Sequence, residues 1–189
     1  MAQTKYVQID AYLRWAKVFE SNRDTADRAK KFGVTHKGVL KFLEKVDGQY
    51  LVDVIPATDK DLETVKAVLT EKMYGGADRF KDVDIGSGKS FQLARKHNDK
   101  HVFKDRETGE DKEYDFGGEP EIVWWNDEKD RGTKFTLQND GFIGNDTLAK
   151  VKFSVYMSEG EPTVSDTVRL EKLGIVYHVK YETQGGDGF

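Results

Sequence analysis

TLAKVKFSVYM, residues 147–157, alternates without a break. Successive side chains of an extended chain point to opposite faces, so Ala149, Val151, Phe153, Val155 and Met157 share one side, and Lys150, Lys152, Ser154 and Tyr156 the other. The stretch reads as a strand with an apolar underside and a basic, aromatic top. A chain organised around it is a sheet protein, and the chemistry of its top face is the first pointer to function.

The pattern repeats elsewhere. Val7, Ile9, Ala11, Leu13 and Trp15 alternate with Gln8, Asp10, Tyr12 and Arg14, which predicts a half-buried strand over 7–15 with Trp15 on the apolar side. Residues 50–55 form a second apolar run, stopped by Pro56. Short strands are expected at 91–95, 121–125 and 134–137, and a long one at 166–181, where Gly174 marks a bulge or bend. Residues 21–47 read as charged loop with a short helix around 36–45. One main helix is expected over about 58–74: Thr58 is its N-cap, Asp61 follows three residues on, and Leu62, Val65, Leu69 and Met73 form one stripe ending before Gly75 and Gly76. Several strands, one helix and long charged loops indicate a mainly β fold, either a small barrel or a sandwich.

Composition excludes several function classes. The chain has 189 residues, 37% of them apolar, 34% charged and 12% aromatic, with a net charge of −4 and no cysteine. That is enough chain to bury one core, and the aromatic content argues against disorder. Without cysteine there is no disulfide scaffold, thiol nucleophile or cysteine-held metal. No apolar run approaches membrane-spanning length, and MAQTKYVQID lacks the apolar stretch of a signal peptide, so no membrane association and a cytoplasmic location are expected.

Two local motifs invite catalytic readings and fail them. GSGKS, residues 86–90, resembles a phosphate-binding loop, but that loop needs a glycine five residues before Gly88, where Val83 stands, and a helix after it, where Phe91–Ala94 alternates like a strand. His97 and His101 have helical metal-pair spacing, yet Asn98-Asp99-Lys100 between them reads as a turn, and no third ligand follows. No metal, no cofactor and no catalytic residue are expected, and the chain is not read as an enzyme.

Binding readings fare better. Residues 89–104 carry five Lys/Arg against one Asp, and 105–121 carry eight acids against two bases. Single-stranded nucleic acid is held by sheet faces that offer Lys/Arg to phosphates and rings to bases. Here Tyr12 and Arg14 supply one strand, and Lys150, Lys152 and Tyr156 another. Lys89, Arg95, Lys96 and Lys100 supply a basic run expected to close over the strand. Of the pair Trp124-Trp125, which must point to opposite faces, Trp124 is taken as the binding ring. The rival is a β-rich virion or interaction protein with no DNA role, its rings in the core and its charges solvated.

Four segments in order, AYLRWAKVF (11–19), GQYLVDVIPATDKDLETVKAV (48–68), GFIGNDTLAKVKFSVYMSE (141–159) and DTVRLEKLGIVYHVKYE (166–182), resemble the OB-fold single-stranded DNA-binding proteins of bacteriophages, the T-odd podophage type. The resemblance implies an OB-fold-like small β-barrel forming one domain over 1–182, with a flexible tail at 183–189. It implies sequence-nonspecific coating of single-stranded DNA in phage replication, recombination or repair, in the cytoplasm of the infected bacterial host, by a monomer or homodimer. Lys17, Lys150 and Lys152 fall at family lysine positions and Tyr12 at a family tyrosine; residues 96–121 have no counterpart. The family ends in a long acidic tail capped by Phe that meets replisome proteins. YETQGGDGF keeps a terminal Phe189, with only Glu182 and Asp187 for charge, so Phe189 is the candidate partner-docking residue.

Overall fold

The computed structural model describes residues 2–181, and the protein is mainly β, as expected. Strand β1 (Gln3–Lys17) is followed by helices α1 (Ala26–Lys31) and α2 (Lys37–Val46), strand β2 (Gln49–Pro56) and helix α3 (Asp59–Lys66). Then come β3 (Lys81–Asp82), β4 (Lys89–Lys96), β5 (Lys100–Lys104), β6 (Asp111–Asp115), β7 (Glu121–Trp124), the short helix α4 (Leu137–Asp140), β8 (Thr147–Met157) and β9 (Thr167–Tyr177). Seven strands pair in the order β3-β4-β2-β1-β8-β9-β7, and β5 and β6 make a separate hairpin. Among the described residues no ladder joins β7 back to β3, so the sheet is open where a small barrel was expected. It is also mixed, because β7 runs parallel to β9 while β8 is antiparallel to both its neighbours.

Register explains why β8 is central. Val7 lies opposite Phe153, Ile9 opposite Val151 and Ala11 opposite Ala149, so apolar residues meet on one face across the β1–β8 ladder. Leu170, Leu173 and Ile175 of β9 continue that face against Phe153, Val151 and Ala149. All nine of these residues are at least 92% buried, with Val7 the most exposed at 8%. A one-residue slip would turn the whole set outward, and burial of one face therefore fixes the pairing.

The chain falls into two compact units. The first comprises the chain up to Ala16, Val52–Leu93 and the chain from Pro120 on; the second comprises Lys17–Leu51 and Ala94–Glu119. Within the first, Phe91 meets Phe153 edge-on with ring centroids 6.0 Å apart. Within the second, Ala26, Ala29 and Leu43 of α1 and α2 form a small core that Val34 and Leu40 flank.

Several elements differ from their sequence reading. Helix α3 starts where predicted: the Thr58 hydroxyl accepts from the Asp61 N–H at 3.2 Å. It ends at Lys66, and Met73 is 37% exposed, so the stripe does not run to 74 as one helix. Among the described residues there are four helices, of which α2 answers the short helix expected around 36–45 and α1 and α4 were not expected. Residues 134–137 are not a strand; Lys134 makes an isolated bridge to Val123, and Thr136 caps α4. In the β8–β9 ladder the register shifts fall where β8 passes from Leu148 to Ala149 and from Lys152 to Phe153, not opposite Gly174. Gly174 is there for close approach, since a Cβ would stand 3.1 Å from that of Trp125.

Trp15 is the sharpest departure. Alternation predicts it inward beside Leu13, yet it is 67% exposed. Its φ of +54° breaks the period of the strand and turns the side chain out.

Candidate nucleic-acid interface

The outward face of β1, β8 and β9 carries the candidate site. Across β1 and β8, Tyr6 pairs with Ser154, Gln8 with Lys152, Asp10 with Lys150 and Tyr12 with Leu148. Across β8 and β9, Tyr156 pairs with Thr167, Lys152 with Lys172 and Leu148 with Tyr177. Period two thus brings Lys150, Lys152 and Lys172 to the middle of the face. Tyr6, Tyr156 and Tyr177, exposed to 64%, 50% and 67%, are distributed around them.

The lysines differ in how they are held. Lys150 pairs with Asp10 at 2.8 Å, and Lys172 with Glu121 at 3.2 Å. Lys152 has its ammonium 5.2 Å from the Tyr6 ring centroid, a cation–π contact that leaves its charge unneutralised. Exchanging Asp10 or Glu121 for a phosphate keeps the lysine in an ion pair and releases a carboxylate that is more than half exposed and can be hydrated.

Tyr12 and Arg14 are drawn into the protein more than the sequence indicated. The turn containing GSGKS lies against them: a Cβ on Gly86 would come within 3.3 Å of Tyr12 Cδ2 and 2.8 Å of the Pro56 carbonyl, so only glycine fits. Arg14 binds Asp146 at 2.8 Å and Asp84 at 3.1 Å. Hydrogen bonding to Asp146 outweighs the opposing effect of burial, and the guanidinium pKa lies above its ordinary value. The turn's amides are also committed, Ser87 N–H to the Pro56 carbonyl at 2.8 Å and Gly88 N–H to that of Ile85 at 2.9 Å. Lys89 reaches back to Asp82 at 2.5 Å, and the segment continues into β4. A phosphate cradle needs its N–H groups free and a helix behind them.

Trp124, expected on the surface, is 8% exposed. Its ring packs 5.0 Å from Phe135 and 5.8 Å from His178, with Lys129 4.4 Å above it. A buried indole cannot stack on a base, so Trp124 belongs to the core.

The remaining candidates lie in the second unit. Lys17 is exposed at the end of β1. Arg95 donates to the carbonyls of Gly118 at 2.8 Å and Gly117 at 3.3 Å. Lys96 stands 5.9 Å from the Phe42 ring and 3.9 Å from Asp99, and Lys100 is 3.9 Å from Glu113. The basic run 89–104 is not one hairpin: it spans β4 and β5, and β5 pairs with the acidic β6. The segregated charges of the sequence are therefore opposed across a ladder. On that hairpin His101, Phe103, Tyr114 and Phe116 form a half-exposed ring cluster with centroids 5.6 to 6.3 Å apart. His97 sits between Glu20 and Asp47 at 3.4 and 3.3 Å, and His101 bonds Asp99 at 2.8 Å. Phe189 lies outside the described residues.

Tyr6, Lys172 and Tyr177 were missed by the sequence reading. Tyr6 needed only the alternation of β1 carried two residues back. Lys172 and Tyr177 were hidden by the two register shifts, which change the phase of β9 against β8.

No protein-family model matches this sequence, and no curated protein does. Among solved structures, the chain is similar to gp2.5, a single-stranded DNA-binding protein encoded by bacteriophage T7, with 18% identity and a TM-score of 0.49 over 98% of this chain and 93% of that one. A likeness of that degree leaves function to be argued from the residues of the face itself.

Proposed function

We propose that this protein binds single-stranded DNA without reading its sequence, through the outward face of β1, β8 and β9. The observation that carries the reading is one sheet with two chemically opposite sides: Ala149, Val151, Phe153 and Val155 wholly buried beneath, and Lys150, Lys152, Lys172, Tyr6, Tyr156 and Tyr177 above. Lysines supply sequence-independent attraction to phosphates, and tyrosine rings stack on any base. Stacking requires unpaired bases, which favours a single strand over a duplex. The sequence resemblance adds phage replication or recombination in the infected host's cytoplasm as the setting, and replisome contact through Phe189 as a role for the tail. In the face itself, binding needs no cofactor.

Anisotropy of an end-labelled thymidine oligomer tests the reading. Binding should weaken with salt at a log–log slope of about −0.7 per neutralised phosphate, hence about −2 for the three lysines. Absence of binding, a salt-independent affinity, or equal affinity for a duplex of the same length would overturn it.

A further inference from the structure

Within this single-strand-binding reading, we infer that Trp15 is a further base-stacking position, turned outward by a left-handed backbone that its neighbours hold in place. The buried side of β1 runs Ile9, Ala11, Leu13, the last two fully buried, and its next member is Trp15. Ordinary strand geometry would bury the largest apolar side chain in the sequence. Instead φ is +54°, a region unfavourable for a bulky residue, and the indole is 67% exposed. Two unfavourable features thus coincide at one residue.

The contacts that maintain the kink do not involve the indole. The Trp15 N–H donates to Asn145 Oδ1 at 2.9 Å, and the Asp146 N–H donates to the Leu13 carbonyl at 2.8 Å. Arg14, between them, binds Asp146 and Asp84. Asp146 is itself left-handed, with φ of +71°, so the strand end and the segment entering β8 are bent together. All of this fixes backbone and leaves the ring in solvent. Strain of this kind persists where surrounding structure over-determines it, and the group it presents is where function is sought.

The ligand follows from position and ring type. Trp15 lies three residues beyond Tyr12, about 10 Å further along β1 at ~3.3 Å per residue. It is the second strongly exposed ring of β1, at the far end of the strand from Tyr6. A flat indole has its largest affinity for another flat π surface, and beside a face supplied with lysines that surface is a nucleobase.

Two variants and one probe test this. Trp15→Asn tolerates the left-handed backbone and removes the ring, whereas Trp15→Phe keeps a ring. With a labelled thymidine oligomer at fixed salt, Trp15→Asn should bind roughly 5- to 150-fold more weakly than the natural chain, the equivalent of one stacked base. Its melting temperature should be unchanged or higher, and Trp15→Phe should recover most of the affinity. If the natural chain binds and Trp15→Asn binds equally well, this inference falls while the proposed function stands. If both variants melt well below the natural chain, Trp15 is structural and the inference also falls. If the natural chain does not bind the oligomer, both readings are overturned.

Discussion

Substituting Phe153 and Tyr156, three residues apart on β8, sets the underside of the sheet against its top. Phe153 is fully buried, opposite Val7 on one side and Leu170 on the other, with the Phe91 ring 6.0 Å away. An aromatic side chain buries about 150–250 Å². At ~25 cal/mol per Å² that is an upper estimate of roughly 4–6 kcal/mol, and alanine retains only the Cβ. Phe153→Ala should therefore destabilise by about 3–5 kcal/mol, a large share of the ~5–15 kcal/mol typical of a domain. Tyr156 is 50% exposed, and its neighbours across the ladders are Thr4 and Thr167. Its truncation should cost under about 1 kcal/mol of stability but ~1–3 kcal/mol of binding. Urea midpoints at constant m-value read the first quantity, and oligomer anisotropy the second. If Tyr156→Ala lowers the midpoint as far as Phe153→Ala, the assignment of faces is wrong. If it changes neither stability nor affinity, Tyr156 is a bystander and the top face loses one of its three rings.

Other expectations concern local structure. Thr58→Ala removes the α3 cap, in which the hydroxyl also donates to Asp61 Oδ2 at 2.7 Å, and should destabilise by about 1 kcal/mol in a urea melt. Calorimetric titration with magnesium-ATP should show no saturable heat for the natural chain or for Lys89→Ala; saturable binding lost in the variant would restore a nucleotide role to residues 86–90. In the β5–β6 turn, Asp105 is held below the usual carboxylate range by Lys112 at 2.6 Å and by the amides of Thr108 and Glu107. Asp115 is held down likewise, by the amides of Gly117 and Asp99. A carboxylate depressed in the folded state stabilises fully above its unfolded value near ~4, and the effect fades as pH falls through the lower folded value. Protection factors for amide exchange in β5 and β6 should therefore be constant near neutrality and fall below about pH 4, and Asp105→Ala should lower them at neutral pH. An unaltered exchange rate in that variant would remove Asp105 from the account of the turn.

What the sequence revealed and what it hid have physical reasons. Strand β8 was legible from end to end because one face is wholly buried and the other polar, which makes period two unambiguous. The cap of α3 was legible because Thr58 and Asp61 act within one turn. Trp15 was not, because the kink that exposes it depends on Asn145 and Asp146, remote in sequence and adjacent in space. The β5–β6 hairpin was hidden because KHVFK and DKEYD are exposed on both faces and show no apolar alternation. Of the candidate site, Lys150, Lys152 and Tyr156 stand together on one face as the alternation implied. Trp124 failed because two adjacent tryptophans at the end of a short strand do not reveal which of them Phe135 and His178 will cover.

The central claim, that a single strand lies along the outward face of β1, β8 and β9, is tested most directly by photo-crosslinking. A thymidine oligomer irradiated in complex with the natural chain, followed by peptide mapping, should attach to Tyr6, Tyr156 and Tyr177, with Trp15 at the end of the series. Attachment confined to the ring cluster of the β5–β6 hairpin, at Phe103, Tyr114 or Phe116, with none on the sheet face, would contradict it.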